Sequence, residues 1–199
     1  MNHVYAAFFA TDSRMGKLIR VFTRNRYNHA ALSLSRDLSY MYSFARYQKA
    51  APLAGGFVIE RPGRFTGGET PVPLKIAKIS LDERQYLRLR AIVGDCETRN
   101  QDWIYNSFDA FLSLFGVSLR IRDSHTCVSF VCHALGYSGI KNIRALEKRL
   151  ADGVIYEGDC KEYLPNVTAD DPDYYRRLTF PAATLKTFRH FARLFRRLL

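Results

Sequence analysis

Two residues in this chain stand in settings that suit thiol chemistry. Cys127 follows a polar stretch, Ser124-His125-Thr126, and opens an apolar one, Val128-Ser129-Phe130-Val131. The pattern predicts a helix capped by Thr126, with Cys127 on its first turn. Unpaired N–H groups and the positive end of the helix dipole gather there. Both favour thiolate, the nucleophilic form of cysteine. His29 stands in Tyr27-Asn28-His29-Ala30-Ala31-Leu32-Ser33-Leu34, a turn running into a half-buried strand. A histidine at a strand start can face a cleft, and an imidazole brought against a thiolate completes the minimal pair for acyl transfer.

Each residue has a plainer reading. A free cysteine is more often a small buried hydrophobe than a nucleophile. Cys132 fits that description: it lies about 140° from Cys127 on a helical wheel, beside Val128, Val131 and Leu135. Cys132 therefore reads as structural and Cys127 as exposed at the helix tip. A lone histidine is usually a surface or satisfied core residue. His125 is nearer Cys127 in sequence and competes for the role of base; His133, inside the helix, ranks below it. His3 and His190 read as solvated. An imidazole base also needs a partner that fixes its tautomer. Ser43, polar between apolar neighbours in Tyr42-Ser43-Phe44, is the candidate, and a serine on the wet face of a strand is the equal alternative.

The elements that must hold these residues can be read from periodicity and turn chemistry. Residues 4–10 are a buried strand, and Met15, Leu18, Ile19 and Phe22 have helical spacing over 14–23. Strands at 29–35 and 40–46, joined by a turn at 37–39, form a hairpin. Residues 47–71 are a long loop holding a short strand at 57–60. Residues 72–80 are a strand. Ser80-Leu81-Asp82-Glu83 then has capping-box form and opens a helix to Thr98. Ile104, Phe108, Phe111, Leu112 and Phe115 share one face of a helix over 103–115, ended by Gly116. A strand at 117–122, the Cys127 helix to Gly136, a basic helix over 142–150 and a strand or turn at 153–157 follow. Asp170-Asp171-Pro172-Asp173 is an acidic loop. Strands and helices mix without regular βαβ alternation, which indicates the α+β class.

With 199 residues, 47% of them hydrophobic, the chain suits one packed domain over 1–184, followed by a basic amphipathic helix over 185–199. No apolar run is long enough to span a membrane, and the N-terminus lacks the basic flank of a signal peptide. A cytoplasmic location is expected, peripheral at the inner membrane face where the tail engages lipid. The cysteines at 96, 127, 132 and 160 form no C-x-x-C and no zinc-finger spacing with histidine, so no metal or other cofactor is expected. The formal charge of +11 invites an anionic partner. Nucleic acid is a poor candidate, because the basic residues are not interleaved with aromatics in one stripe. Lipid fits the tail. Leu185, Phe188, Phe191, Ala192, Phe195, Leu198 and Leu199 form a stripe opposite Lys186, Arg189, Arg193, Arg196 and Arg197, the pattern of an interfacial helix on anionic lipid. A helix docked on its own domain is the even alternative.

The segments Tyr27–Leu34, Met41-Tyr42-Ser43-Phe44-Ala45-Arg46, Gly55-Gly56-Phe57-Val58 and Thr126–Val131 resemble the circularly permuted NlpC/P60 group of papain-like proteins. The bacterial YiiX-like type is the nearest in character, and lecithin:retinol acyltransferase a distant relation. The resemblance spans residues 4–140 and implies a permuted papain-like fold: a nucleophile helix packed on a small antiparallel sheet, with the histidine strand preceding it. It puts Cys127 in the nucleophile slot and His29 in the base slot. The third slot, on the next strand, often holds His, Asn, Gln or Glu; Ser43 stands there here, and a backbone carbonyl could serve instead.

The expected activity is that of a cysteine-dependent hydrolase or acyltransferase of amidase, peptidase or esterase type. Its substrate would be a small molecule, lipid or peptide with an amide or ester bond. Cys127 would attack the carbonyl, His29 would take and return the proton, and the Cys127 N–H with the Tyr27 hydroxyl would hold the oxyanion. The rival reading is a catalytically inactive papain-like binding module attached to anionic membrane surfaces.

Overall fold

Apolar segments near the N-terminus supply the middle of a sheet. In the computed structural model, which describes residues 1–11, 20–21, 24–66, 71–164, 167 and 171–199, β1 (Asn2–Phe9) lies between β2 (His29–Ser33) and β5 (Pro73–Leu81). β3 (Met41–Arg46) follows β2, and β4 (Gly55–Glu60) follows β3. Short strands β6 (Ile104–Tyr105) and β7 (Ser124–His125) extend one side, and β8 (Val154–Asp159) closes the other. The eight strands run in the order β7-β6-β4-β3-β2-β1-β5-β8. Every pair is antiparallel except β6–β7. With its helices the architecture is α+β, on a sheet larger than the small one expected.

Both faces of the sheet are covered. On one, Ala30, Leu32, Phe44 and Phe57 pack against α2 (Glu83–Thr98) and α4 (Cys127–Leu135) through Leu89, Phe130 and Val131. On the other, Phe9, Ala31 and Met41 meet Phe65 of α1 (Gly63–Thr66) and Cys160 of α6 (Cys160–Tyr163). β2 is therefore buried along its whole length rather than half-buried, as its run of small and apolar residues permits. Each fully buried phenylalanine, such as Phe8, Phe44 or Phe130, contributes about 1.5–3 kcal/mol. β4 can lie close to its neighbours because Gly56 has no Cβ, which would meet the Trp103 carbonyl and the Tyr47 ring.

Several elements differ from the sequence reading. Most of the helix expected over 14–23 lies outside the described residues. Asp82 with Gln85, not Ser80 with Glu83, forms the capping box of α2, because Ser80 and Leu81 still belong to β5. The 103–115 segment begins as β6, since Ile104 pairs with Gly56 of β4. Only α3 (Ser107–Leu112), capped by Asn106, and one 3-10 turn to Phe115 are helical. Residues 117–122 form no strand. The 142–150 helix is α5 (Ile143–Arg149). Part of the acidic loop is a helical turn, α7 (Pro172–Tyr175), capped by Asp171; Asp170 lies outside the described residues.

The C-terminal helix, α8 (Phe180–Leu198), begins before Leu185 and docks on the domain. Phe191 and Leu194 join Ile104, Phe108 and Ile121 in a small core. Arg193 donates to the Gln101 carbonyl, and Arg197 donates to the carbonyls of Asp102 at 2.6 Å and Asp123 at 2.8 Å. His190, expected in solvent, is only 5% exposed and bonds Ser107 Oγ through Nε2. Leu185, Phe188 and Phe195 stay exposed, next to Arg189 and Arg196. Among the described residues, no helix is long and apolar enough to cross a membrane.

Candidate active site

The site forms where a helix and a strand both begin. α4 starts at Cys127 behind a capping box: Thr126 Oγ1 accepts from the Ser129 N–H at 3.1 Å, and Ser129 Oγ accepts from the Thr126 N–H at 2.8 Å. Gly136, with φ of 72°, ends the helix in the left-handed region, where glycine carries no penalty. β2 starts at His29. The preceding Asn28 fixes that start by bonding Thr11 through both amide atoms, at 2.8 and 3.1 Å.

These two ends meet. The His29 ring and the Cys127 thiol line one cavity, and the cysteine is among the groups that act on the imidazole's protonation. Its Nε2 is held at 2.6 Å by Glu60 Oε2, which leaves Nδ1 for the sulfur. Phe65 stacks on the imidazole at 6.0 Å and Phe9 stacks on Phe65 at 3.8 Å, so the ring has a rigid apolar wall. Cys127 is 7% exposed, at the base of a cavity rather than at an open helix tip.

Glu60 is the member that the sequence reading missed. It ends β4, is 1% exposed, and is fully satisfied. Oε2 accepts from His29 and from Ser43 Oγ at 2.7 Å, while Arg64 Nε faces Oε1 at 3.3 Å. Ser43 therefore acts on His29 through Glu60 and not directly. The β3–β4 register explains this: Ser43 faces Val58 and Met41 faces Glu60, so serine and carboxylate are diagonal neighbours on one face. A glutamate closing an apolar strand, with an arginine one helical turn on, was the available sequence clue.

The electrostatics follow from these contacts. Burial alone would push the His29 imidazole down. The Glu60 carboxylate and the bonds to Cys127 and Glu60 outweigh it and raise the pKa. Burial would raise Glu60, but the His29 and Arg64 charges and the His29 and Ser43 bonds hold it below the usual carboxylate range. Tyr105, on the cavity wall, is raised by burial and by the nearby Cys127 charge, so its hydroxyl keeps its proton.

The other sequence candidates lie elsewhere. Tyr27 does not serve the site: its hydroxyl donates to Glu157 Oε1 of β8 at 2.9 Å. His125 stacks on Trp103 at 5.5 Å and His133 at 5.2 Å, and its Nδ1 faces Ser129 Oγ at 3.2 Å. Burial lowers its pKa to about 4. His3 is exposed beside Ser80. Cys132 is buried, and burial pushes its thiol up to about 12. All four cysteines are free.

A cavity of about 530 Å³ opens above Cys127 and His29. Its wall is mostly apolar, with Phe44, Phe65, Phe108, Phe111, Leu114 and Phe191; Arg46, Arg64 and Tyr174 are among its polar lining. Among the described residues, no group of three or more His, Cys, Asp or Glu could hold a metal ion. No protein-family model, curated protein or solved structure matches the chain.

Proposed function

We propose that this chain is a cysteine-dependent hydrolase or acyltransferase of permuted papain-like type, acting on an amide or ester. The observation that carries the reading is the contact series Cys127–His29–Glu60–Ser43 at the base of an apolar cavity. With Nε2–H donated to Glu60, Nδ1 takes the thiol proton. The Cys127 sulfur then bonds to the substrate carbonyl carbon. The His29 imidazolium returns the proton to the leaving group as the C–N or C–O bond breaks. Water or another acceptor, deprotonated by His29, releases the acyl group from sulfur. The Cys127 backbone N–H, at the helix start, and the Tyr105 hydroxyl, from the cavity wall, would donate to the oxyanion; Tyr105 would then take the role expected of Tyr27. Glu60 holds the ring and balances its charge.

The apolar wall suits an acyl chain or aromatic arm. A lipid-linked substrate is supported by α8: Leu185, Phe188 and Phe195 remain exposed beside Arg189 and Arg196, a surface for peripheral contact with anionic membrane. Vesicles containing phosphatidylglycerol should retain the protein, salt should release it, and Phe188→Ser with Phe195→Ser should abolish retention.

The activity is tested by hydrolysis of p-nitrophenyl hexanoate together with iodoacetamide labelling at pH 6.5. Cys127 should label far ahead of the other cysteines, and Cys127→Ser should remove turnover at unchanged melting temperature. Slow, uniform labelling without turnover would favour the inactive binding module.

A further inference from the structure

We infer that Arg46 is a specificity residue: it receives an oxyanion, carboxylate or phosphate, that the substrate carries, while an apolar arm fills the rest of the cavity. Its place in a reaction rests on the reading of Cys127 as nucleophile. The anion site stands on separate observations.

Two arginines line the cavity, and they differ in what balances them. Arg64 is spoken for: it faces the Glu60 carboxylate, donates to the Arg46 carbonyl, and lies over the Tyr174 ring at 4.0 Å. Arg46 makes no ion pair among the described residues. Its side chain donates to the Tyr174 hydroxyl at 2.5 Å and lies 5.3 Å from that ring. Glu60 thus lies against both Arg64 and His29. Among the described residues that line the cavity, Arg46 is the charged side chain with no ion-pair partner.

Its surroundings make that charge count. Arg46 is half-buried beside apolar wall residues, where an ion pair is screened less than at the surface. The Arg64 bond to its carbonyl and the Tyr174 contact to its side chain hold it in place before any ligand arrives. A pre-positioned planar guanidinium offers the paired donors that match carboxylate and phosphate oxygens. Arg46, Tyr105 and Cys127 line the same cavity, so a ligand anchored on the guanidinium shares the chamber with the nucleophile. The substrate class that fits is an amphiphilic anion containing an amide or ester.

The test uses the full chain and three probes sharing one apolar arm: hexyl phosphate, hexanoate and hexanol. Titration calorimetry should show at least one of the two anions binding about tenfold or more tighter than the alcohol, the size expected of a charge-assisted hydrogen bond. The anion/alcohol ratio should fall to about one in Arg46→Met and lie between in Arg46→Lys, which keeps the charge but not the fork. Which anion binds better tells whether the natural group is a phosphate or a carboxylate. Equal binding of all three probes by the wild-type chain, no binding of any probe, or an anion preference that survives Arg46→Met, would overturn the inference. Iodoacetamide labelling of Cys127, run in parallel, separates the two proposals. A normal anion preference with an unreactive Cys127 would sink the acyl-transfer reading and leave the anion site standing.

Discussion

His29 and His125 both lie at the start of the Cys127 helix, and their environments drive them in opposite directions. His125 is two residues from the cysteine in sequence. Its neighbours are Trp103, His133 and a serine, so burial prevails and the imidazole is held neutral. His29 is far away in sequence and more deeply buried, but it has a buried carboxylate at 2.6 Å, and its pKa rises. The partner behind the ring, rather than proximity to the nucleophile, separates a candidate base from a packed histidine.

Removing that carboxylate is the strongest way to erase the difference. Glu60→Ala leaves Arg64 and His29 buried without their counter-charge and should cost about 3–5 kcal/mol of stability in urea unfolding. Glu60→Gln, which keeps hydrogen-bonding atoms, should cost less. A Glu60→Ala protein as stable as wild type would mean that the network holds nothing together. The second effect is kinetic. His29→Ala should slow Cys127 alkylation at pH 6.5 by about 10²-fold, the scale of losing a positioned general base, whereas His125→Ala should change it less than about twofold. The reverse pattern would make His125 the base.

The paired cysteines give a smaller contrast. Cys132→Ser puts a hydroxyl among core residues and should lower stability by about 1–3 kcal/mol without altering Cys127 labelling. The last contrast concerns pH. His29 is raised from 6.5 to about 10, so the folded state holds this proton more tightly than the unfolded chain does. Its contribution is complete below about pH 6.5 and is lost as pH rises through about 10. His125 is lowered to about 4, so its contribution is complete above about pH 6.5 and is lost as pH falls through about 4. Melting temperature against pH should therefore flatten on the alkaline side in His29→Ala and on the acid side in His125→Ala.

The pair Cys127 and His29 was legible because each sits in a local pattern, a capped helix start and a turn into a strand. Glu60 was not, because its role depends on which strand lies beside which. The strand itself was readable, but its diagonal contact with Ser43 is a product of register. Tyr27 was misassigned for the same reason: its partner, Glu157, is on β8, across the sheet. The phenylalanine spacing over 104–115 fits a helix whether or not the segment starts as one. What decides it is a tertiary pairing, Ile104 with Gly56, and the Asn106 cap that follows. Phe111 and Phe115 stand 62% and 63% exposed. The tail pattern was ambiguous in the same way, since one amphipathic stripe can serve docking and exposure at once.

The Arg197 clamp bears on how the molecule breathes. Its guanidinium joins carbonyls in the turns leading into β6 and β7, strands of two residues each that have little pairing of their own. Such a patch and the helix that grips it are expected to open as one cooperative unit. Phe191 of that helix is also part of the cavity wall. Each opening would then breach the chamber above Cys127. Deuterium uptake at the Ile104 and Asn106 amides, which donate to Asp123 and His125, would serve as a clock for that widening of the cavity.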